Sequence, residues 1–223
     1  MIVLALEGAL GGFSAAIAHD GKIVAARAVE GNVALEAGLG CVSAVLQEAA
    51  TRPAALDRLA VGIGPGGFTG LRITVTYAKA LAQAWERPLV AVSSFDALEY
   101  GHRLERALTV VVGRTGIISA RYREAGRQAR ASGPTLEVLH EILAGTTPGP
   151  LPVIAAPEDV LAALAEAGWT VTPMPPLVTP AAAAVALVGA AAPAAASAHE
   201  VRADYGEAPA AKVPRFQAAP HAS

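Results

Sequence analysis

The stretch Gly62-Ile63-Gly64-Pro65-Gly66-Gly67-Phe68-Thr69-Gly70 carries the most pointed chemistry in the chain. Glycines placed between an apolar strand and an apolar-periodic helix leave backbone N–H groups open, and the positive end of the helix dipole favours an anion there. Gly64, Pro65, Gly66, Gly67, Thr69 and Gly70 therefore form a candidate vestigial anion site. Gly62, Gly64 and Gly67 formally satisfy G-x-G-x-x-G, but they do not sit in the first strand–helix unit, as a dinucleotide fingerprint does. No lysine follows Gly70, and Arg72 stands inside the helix, so the loop is not a P-loop. The competing account is conformational: Pro65 and the glycines permit a sharply turned strand-to-helix junction.

The other chemistry-bearing groups are few. Glu7 ends the first apolar run, where an acid could hold a metal-bound nucleotide or simply face solvent. His19, His102, His140, His199 and His221 show no metal-ligand spacing, and Cys41 is the single cysteine. Ser93 and Ser94 read as caps of the helix after them, and no G-x-S-x-G elbow is present. No nucleophile–base pair emerges, so no catalytic residue, metal or cofactor is assigned.

Composition narrows the classes further. A chain of 223 residues, 53% hydrophobic, can build one large core or two small ones. A net charge of -2 gives no basic footprint for gripping nucleic acid directly. One cysteine allows no intrachain disulfide and fits a reducing compartment, so a cytoplasmic location is expected. The apolar N-terminus lacks a basic region and reads as a strand rather than a signal peptide. The alanine-rich segment 180–197, broken by Gly189 and Pro193, is too short for the roughly 20 residues of a membrane span; a helix ending near Gly189 is expected.

The elements that must position these groups follow from periodicity. Apolar runs at 2–6, 13–18 and 22–29, with Asp20-Gly21 between the last two, predict an antiparallel meander. Leu35, Leu39, Val42, Val45, Leu46 and Ala49 recur at helical spacing, and Gly38 and Gly40 give that helix a slim side for another backbone. A strand at 59–63, the glycine loop, a helix over 69–85 capped by Thr69, a strand at 88–93 and a short helix complete the first block. A second block, with strands at 108–113, 117–126, 151–156 and 169–174 and helices at 136–143 and 158–168, echoes the first coarsely. The expected units are 1–104, 105–200 and a tail, 201–223, whose end is loose.

The helix after the glycine loop is apolar on more than one side. Leu71, Val75, Ala78, Ala82 and Trp85 make one stripe, and Ile73, Tyr77, Ala80 and Ala84 lie round another. Such a helix must be covered twice, and in a chain of this size the second cover is a domain partner or another subunit.

The run from Leu59 to Leu98, LAVGIGPGGFTGLRITVTYAKALAQAWERPLVAVSSFDAL, closely resembles the TsaB (YeaZ) family. The resemblance implies an α/β chain with the actin/sugar-kinase/Hsp70-like (ASKHA) fold: two domains, each a mixed sheet flanked by helices. It implies a non-catalytic role in forming N6-threonylcarbamoyladenosine beside the anticodon of tRNAs that read codons starting with A. The implied partners are a TsaD-like protein, a TsaE-like ATPase in a larger complex, and tRNA through that complex; homodimers form when TsaD is absent. The family docks through its first two helices, which here places Leu35, Leu39, Val42, Leu71, Val75, Ala78 and Ala82 at the partner interface. Burial of the second-helix positions inside the monomer would overturn that assignment.

The sequence also departs from the family pattern. The usual LALDTS is LALEGA, so Glu7 replaces the acid and Gly8-Ala9 the hydroxyl pair. Gly67 replaces a serine, Ala80 a glycine, and Gly113 precedes Arg114 where D-A-R is common. These losses weaken a phosphate site and leave Glu7 as a vestigial nucleotide or metal position. The alternatives are a diverged ASKHA-type phosphotransferase or ligase, with nucleotide on the loop and metal near Glu7, and an inactive homodimeric paralogue.

Overall fold

The computed structural model describes residues 1–29, 31, 34–195 and 197–206. The chain opens with β1 (Ile2–Glu7), β2 (Phe13–His19) and β3 (Lys22–Val29), joined as the expected antiparallel meander. Asp20 and Gly21 both take positive φ, which closes a two-residue hairpin. Then come α1 (Ala34–Glu48), β4 (Arg58–Gly62), α2 (Phe68–Ala84), β5 (Leu89–Val92) and α3 (Ser94–Glu99). The second block holds β6 (Arg106–Arg114), β7 (Ile117–Glu124), β8 (Arg127–Pro134), α4 (Thr135–Ile142), β9 (Pro150–Ile154), α5 (Glu158–Glu166), β10 (Thr170–Met174) and α6 (Ala181–Ala191).

Two five-stranded mixed sheets result, ordered β3-β2-β1-β4-β5 and β10-β9-β6-β7-β8. Read from the opposite edge, the second order repeats the first, element for element. The echo legible in the sequence is thus an internal repeat of topology, completed by β8, which the sequence reading leaves as loop. Residues 127–134 alternate small side chains inward, with Ala129 and Ala131 packing on the second core, against polar ones outward.

The central strands are buried on both faces. In β1, Leu4 and Leu6 face the core under α1 and α2, while Val3 and Ala5 face α6. This is the two-residue period of a strand covered twice. α6 closes on the first sheet through small residues: Ala184, Val185 and Ala186 pack with Ala18 and Ala60. A Cβ on Gly189 would strike that of Ala60, so glycine is what allows the approach.

That placement corrects the expected boundary. The unit expected over 105–200 holds the second sheet to Met174, but α6 belongs to the first sheet's core. The exchange is reciprocal. α3, at the end of the first block, lays Phe95 and Leu98 on Ala107, Val111 and Ile154 of the second sheet. Ser93 caps α3 as expected, its hydroxyl accepting the Phe95 N–H at 3.3 Å. The expected 201–223 tail is ordered from the start: Val201 is buried in the first core, while 207–223 lie outside the described residues.

Between the two sheets sits a buried ionic cluster. Thr109 and Arg121 are cross-strand neighbours on β6 and β7, and both reach Glu99 at the end of α3. The Thr109 hydroxyl donates to Glu99 Oε1 at 2.6 Å, and Arg121 Nε donates to the same oxygen at 2.8 Å. Arg121 also pairs with Asp96 at 2.7 Å, and Arg123 with Glu99 Oε2 at 2.5 Å. Burial opposes the charge on Arg121, but the hydrogen bonds to Glu99 and Asp96 outweigh it and hold its pKa above the ordinary value.

Candidate functional site

Two loops meet to form the candidate site. One is the β1–β2 turn, residues 8–12; the other is the glycine loop that leads into α2. The Gly67 N–H donates to the Ala9 carbonyl at 2.7 Å. Side chains at Gly8, Gly66 or Gly70 would collide with the backbone or Thr74 of the facing segment: Gly70 meets the Gly8 carbonyl, and Gly66 meets Ala9. Close passage of one backbone over another explains Gly66 and Gly70, and the Glu7 side chain explains Gly62. The Asp204 carbonyl with a positive φ explains Gly64, whereas Gly67 makes only an ordinary contact with Ala9.

A cleft of about 210 Å³ opens beside this crossing, lined by Gly8, Ala9, Gly11, Gly12, Gly67 and Phe68 among others. The first-turn amides of α2 stand at its wall and have no acceptor within the helix. Gly67 is the N-cap of α2; Thr69, expected to cap it, is an exposed first-turn residue with no side-chain cap bond.

Glu7 is neither a solvated strand end nor a ligand aimed into the cleft. It is only 1% exposed, and its carboxylate accepts the N–H of Ala9 at 2.7 Å and of Leu10 at 3.2 Å. Burial pushes its pKa up to about 7, against the pull of those backbone donors. Two N–H groups of the β1–β2 turn, those of Ala9 and Leu10, are thus spent on the protein's own carboxylate. Among the described residues, no group of three or more His, Cys, Asp or Glu could hold a metal ion.

The proposed docking stripe requires the larger correction. Leu71 and Ala78 are fully buried, Ala82 is 2% exposed and Val75 7% exposed, all within the first core. By the criterion set from sequence, these four positions are not partner contacts. The double cover that α2 needs is supplied inside the chain, by the sheet on one side and α1 on the other. Tyr77 sits against Gly38 of α1 and meets Phe13 edge-on, with ring centroids 6.3 Å apart. Gly38 therefore makes room for rings, not for a foreign backbone. Val42 is buried as well, Leu39 is exposed, and the side chain of Leu35 lies outside the described residues. What α2 shows to solvent is Phe68, Thr69, Arg72, Thr76, Ala80, Gln83 and Ala84.

The family model described as "TsaD: tRNA N6-adenosine threonylcarbamoyltransferase" matches residues 35–219. The chain belongs to this family.

Relatives within and around it agree. TsaB of Escherichia coli, named as a tRNA threonylcarbamoyladenosine biosynthesis protein, is 32% identical over 101 residues, covering 45% of this chain and 44% of that one. The tRNA N6-adenosine threonylcarbamoyltransferase of Thermomicrobium roseum is 29% identical over 121 residues, 47% of this chain and 33% of that one. The chain spans about a third to a half of the length of the curated relatives it matches. The solved structure of YeaZ from Pseudomonas aeruginosa superposes with a TM-score of 0.67 at 22% identity, covering 92% of this chain and 99% of that one. The TsaB (YeaZ) resemblance read from residues 59–98 is thus recovered, and the two repeated mixed sheets have the ASKHA fold it implies. Among the described residues no helix is long and apolar enough to cross a membrane.

Proposed function

We propose that this member of the TsaD family is a TsaB-type scaffold in tRNA threonylcarbamoyladenosine formation, working in the cytoplasm by docking on a catalytic TsaD-like protein and activating it. One observation carries the non-catalytic reading: Glu7 consumes the Ala9 and Leu10 amides of the turn beside the cleft. The β1–β2 turn thus offers a phosphate two fewer donors, and the buried carboxylate behind them repels an anion when it is ionised. The names of the relatives support the tRNA-modification role, and a TsaE-like ATPase and tRNA join through the complex in this reading.

The docking face is drawn from the exposed sides of α1 and α2, with Leu39 and Ala80 on it. Co-purification with the TsaD-like protein of the same genome, read by light scattering, tests this. A one-to-one complex that Leu39→Glu or Ala80→Glu abolishes, while both variants keep the wild-type melting profile, is the expected result. A chain that stays alone beside its TsaD-like protein, as monomer or homodimer, would overturn the scaffold reading.

A further inference from the structure

The last described segment, 201–206, makes contacts that bridge the two sheets. Val201 is anchored in the first core, 3% exposed. The Asp204 N–H donates to the carbonyl of Ile63 at 2.7 Å, and the Asp204 carbonyl fills the space a side chain on Gly64 would need. Tyr205 lies on Phe68, the first residue of α2, with ring centroids 5.1 Å apart. Gly206 then wedges between three elements. Its position leaves no room for a Cβ against Ser119 of β7 and Ser132 of β8, and Pro65 of the glycine loop lies 3.3 Å from where that Cβ would stand. Ser132 and Ser119 are themselves hydrogen-bonded at 2.8 Å.

We propose that residues 201–206 are an interdomain latch that holds the glycine loop and the first turn of α2 against the second sheet. The segment ties both ends of the 62–68 turn, at Ile63 by a backbone hydrogen bond and at Phe68 by ring contact, and its tip seats in the β7–β8 surface. Together with the Glu99–Arg121 cluster it fastens the sheets at two separate places: one at α3 and one at residues 201–206. Contacts at separated places resist hinge rotation of two lobes more than contacts at one.

The test perturbs one lobe and reads the other. Gly206→Val places a side chain against Ser119 and Ser132, on the second sheet, at a positive φ that a β-branched residue resists. Amide hydrogen exchange is then followed at Gly67 and Ser94, whose N–H groups bond to Ala9 and Gly64 in the first lobe. The latch predicts exchange there roughly tenfold faster or more, with cooperative melting retained. A chain ending at Glu200 and the variant Tyr205→Ala should act in the same direction; if the shortened chain does not fold, the two point variants decide. Exchange that rises only at 118–133 in Gly206→Val, or stays unchanged throughout, would overturn the proposal.

Discussion

The carbonyl of Gly8 occupies the place that a side chain on Gly70 would take. Two segments more than fifty residues apart in sequence pass each other backbone to backbone, with no atoms to spare. Gly70→Ala has to push the β1–β2 turn away and lose its packing, a change expected to destabilise by about 2–4 kcal/mol. Gly40, on the exposed side of α1, has nothing within reach of an added Cβ. Gly40→Ala should therefore stabilise by roughly 0.5–1 kcal/mol, the helix-propensity difference. Urea unfolding of the two variants side by side checks both signs.

Glu7 makes stability depend on pH in an unusual direction. Its carboxyl titrates near pH 7 in the folded chain against an ordinary value of 4.5. Between those values the folded chain holds a proton that the unfolded chain has released. Stability contributed by this group is full below about pH 4.5 and is withdrawn as pH rises to about 7, by on the order of 3 kcal/mol. Glu7→Gln cannot titrate and can still accept the Ala9 and Leu10 amides. Its unfolding free energy should lack that falling limb, so the difference from wild type grows from pH 5 to pH 7.5 in denaturant titrations.

The ionic cluster on α3 is predicted to fail when one partner goes. Glu99→Ala leaves Arg121, whose side chain is 5% exposed, with Asp96 as its remaining carboxylate partner, and should cost about 2–3 kcal/mol, less than the loss of a sole partner. Combining it with Arg121→Met removes the under-compensated charge, so the double variant should recover part of that loss. A double-mutant cycle by thermal or urea unfolding measures the coupling; additive losses would contradict the pairing.

Ala78 and Ala80 stand two residues apart on α2 and should behave oppositely. Ala78→Asp buries a carboxylate in the first core and is expected to abolish cooperative folding, since an unpaired buried charge costs several kcal/mol. Ala80→Asp, on the solvent side, should fold with a melting temperature close to wild type. Circular dichroism separates the two, and the pair shows why a lost complex at position 78 would say nothing about docking.

The meander, the strand–helix alternation and the Ser93 cap were legible because each rests on local pattern: period two, period 3.6, or a hydroxyl before a helix. What covers an apolar face was not legible. The stripe Leu71–Val75–Ala78–Ala82 has the spacing of a buried face, but spacing does not say whether a sheet of the same chain or a foreign helix lies against it. α6 shows the same gap more strongly, because a helix of alanines with no polar side reads as buried without naming its neighbour. β8 escaped because alanine and glycine supply the inward positions, and small residues carry little hydrophobic signal. The role of Glu7 depends on the turn folding back over its own carboxylate, which no residue type announces.

The reciprocal placement of α3 and α6 bears on how the chain is made. Synthesis proceeds from the N-terminus, so the first sheet emerges with Val3, Ala5, Ala60, Val90 and Val92 bare on one face. Their cover, α6, arrives only after the whole second sheet has been translated. For most of its synthesis the nascent protein carries a sticky, half-finished sandwich. Fragments cut between the two lobes inherit the same exposed surface, so both cores close only when the span from β1 through Val201 is present.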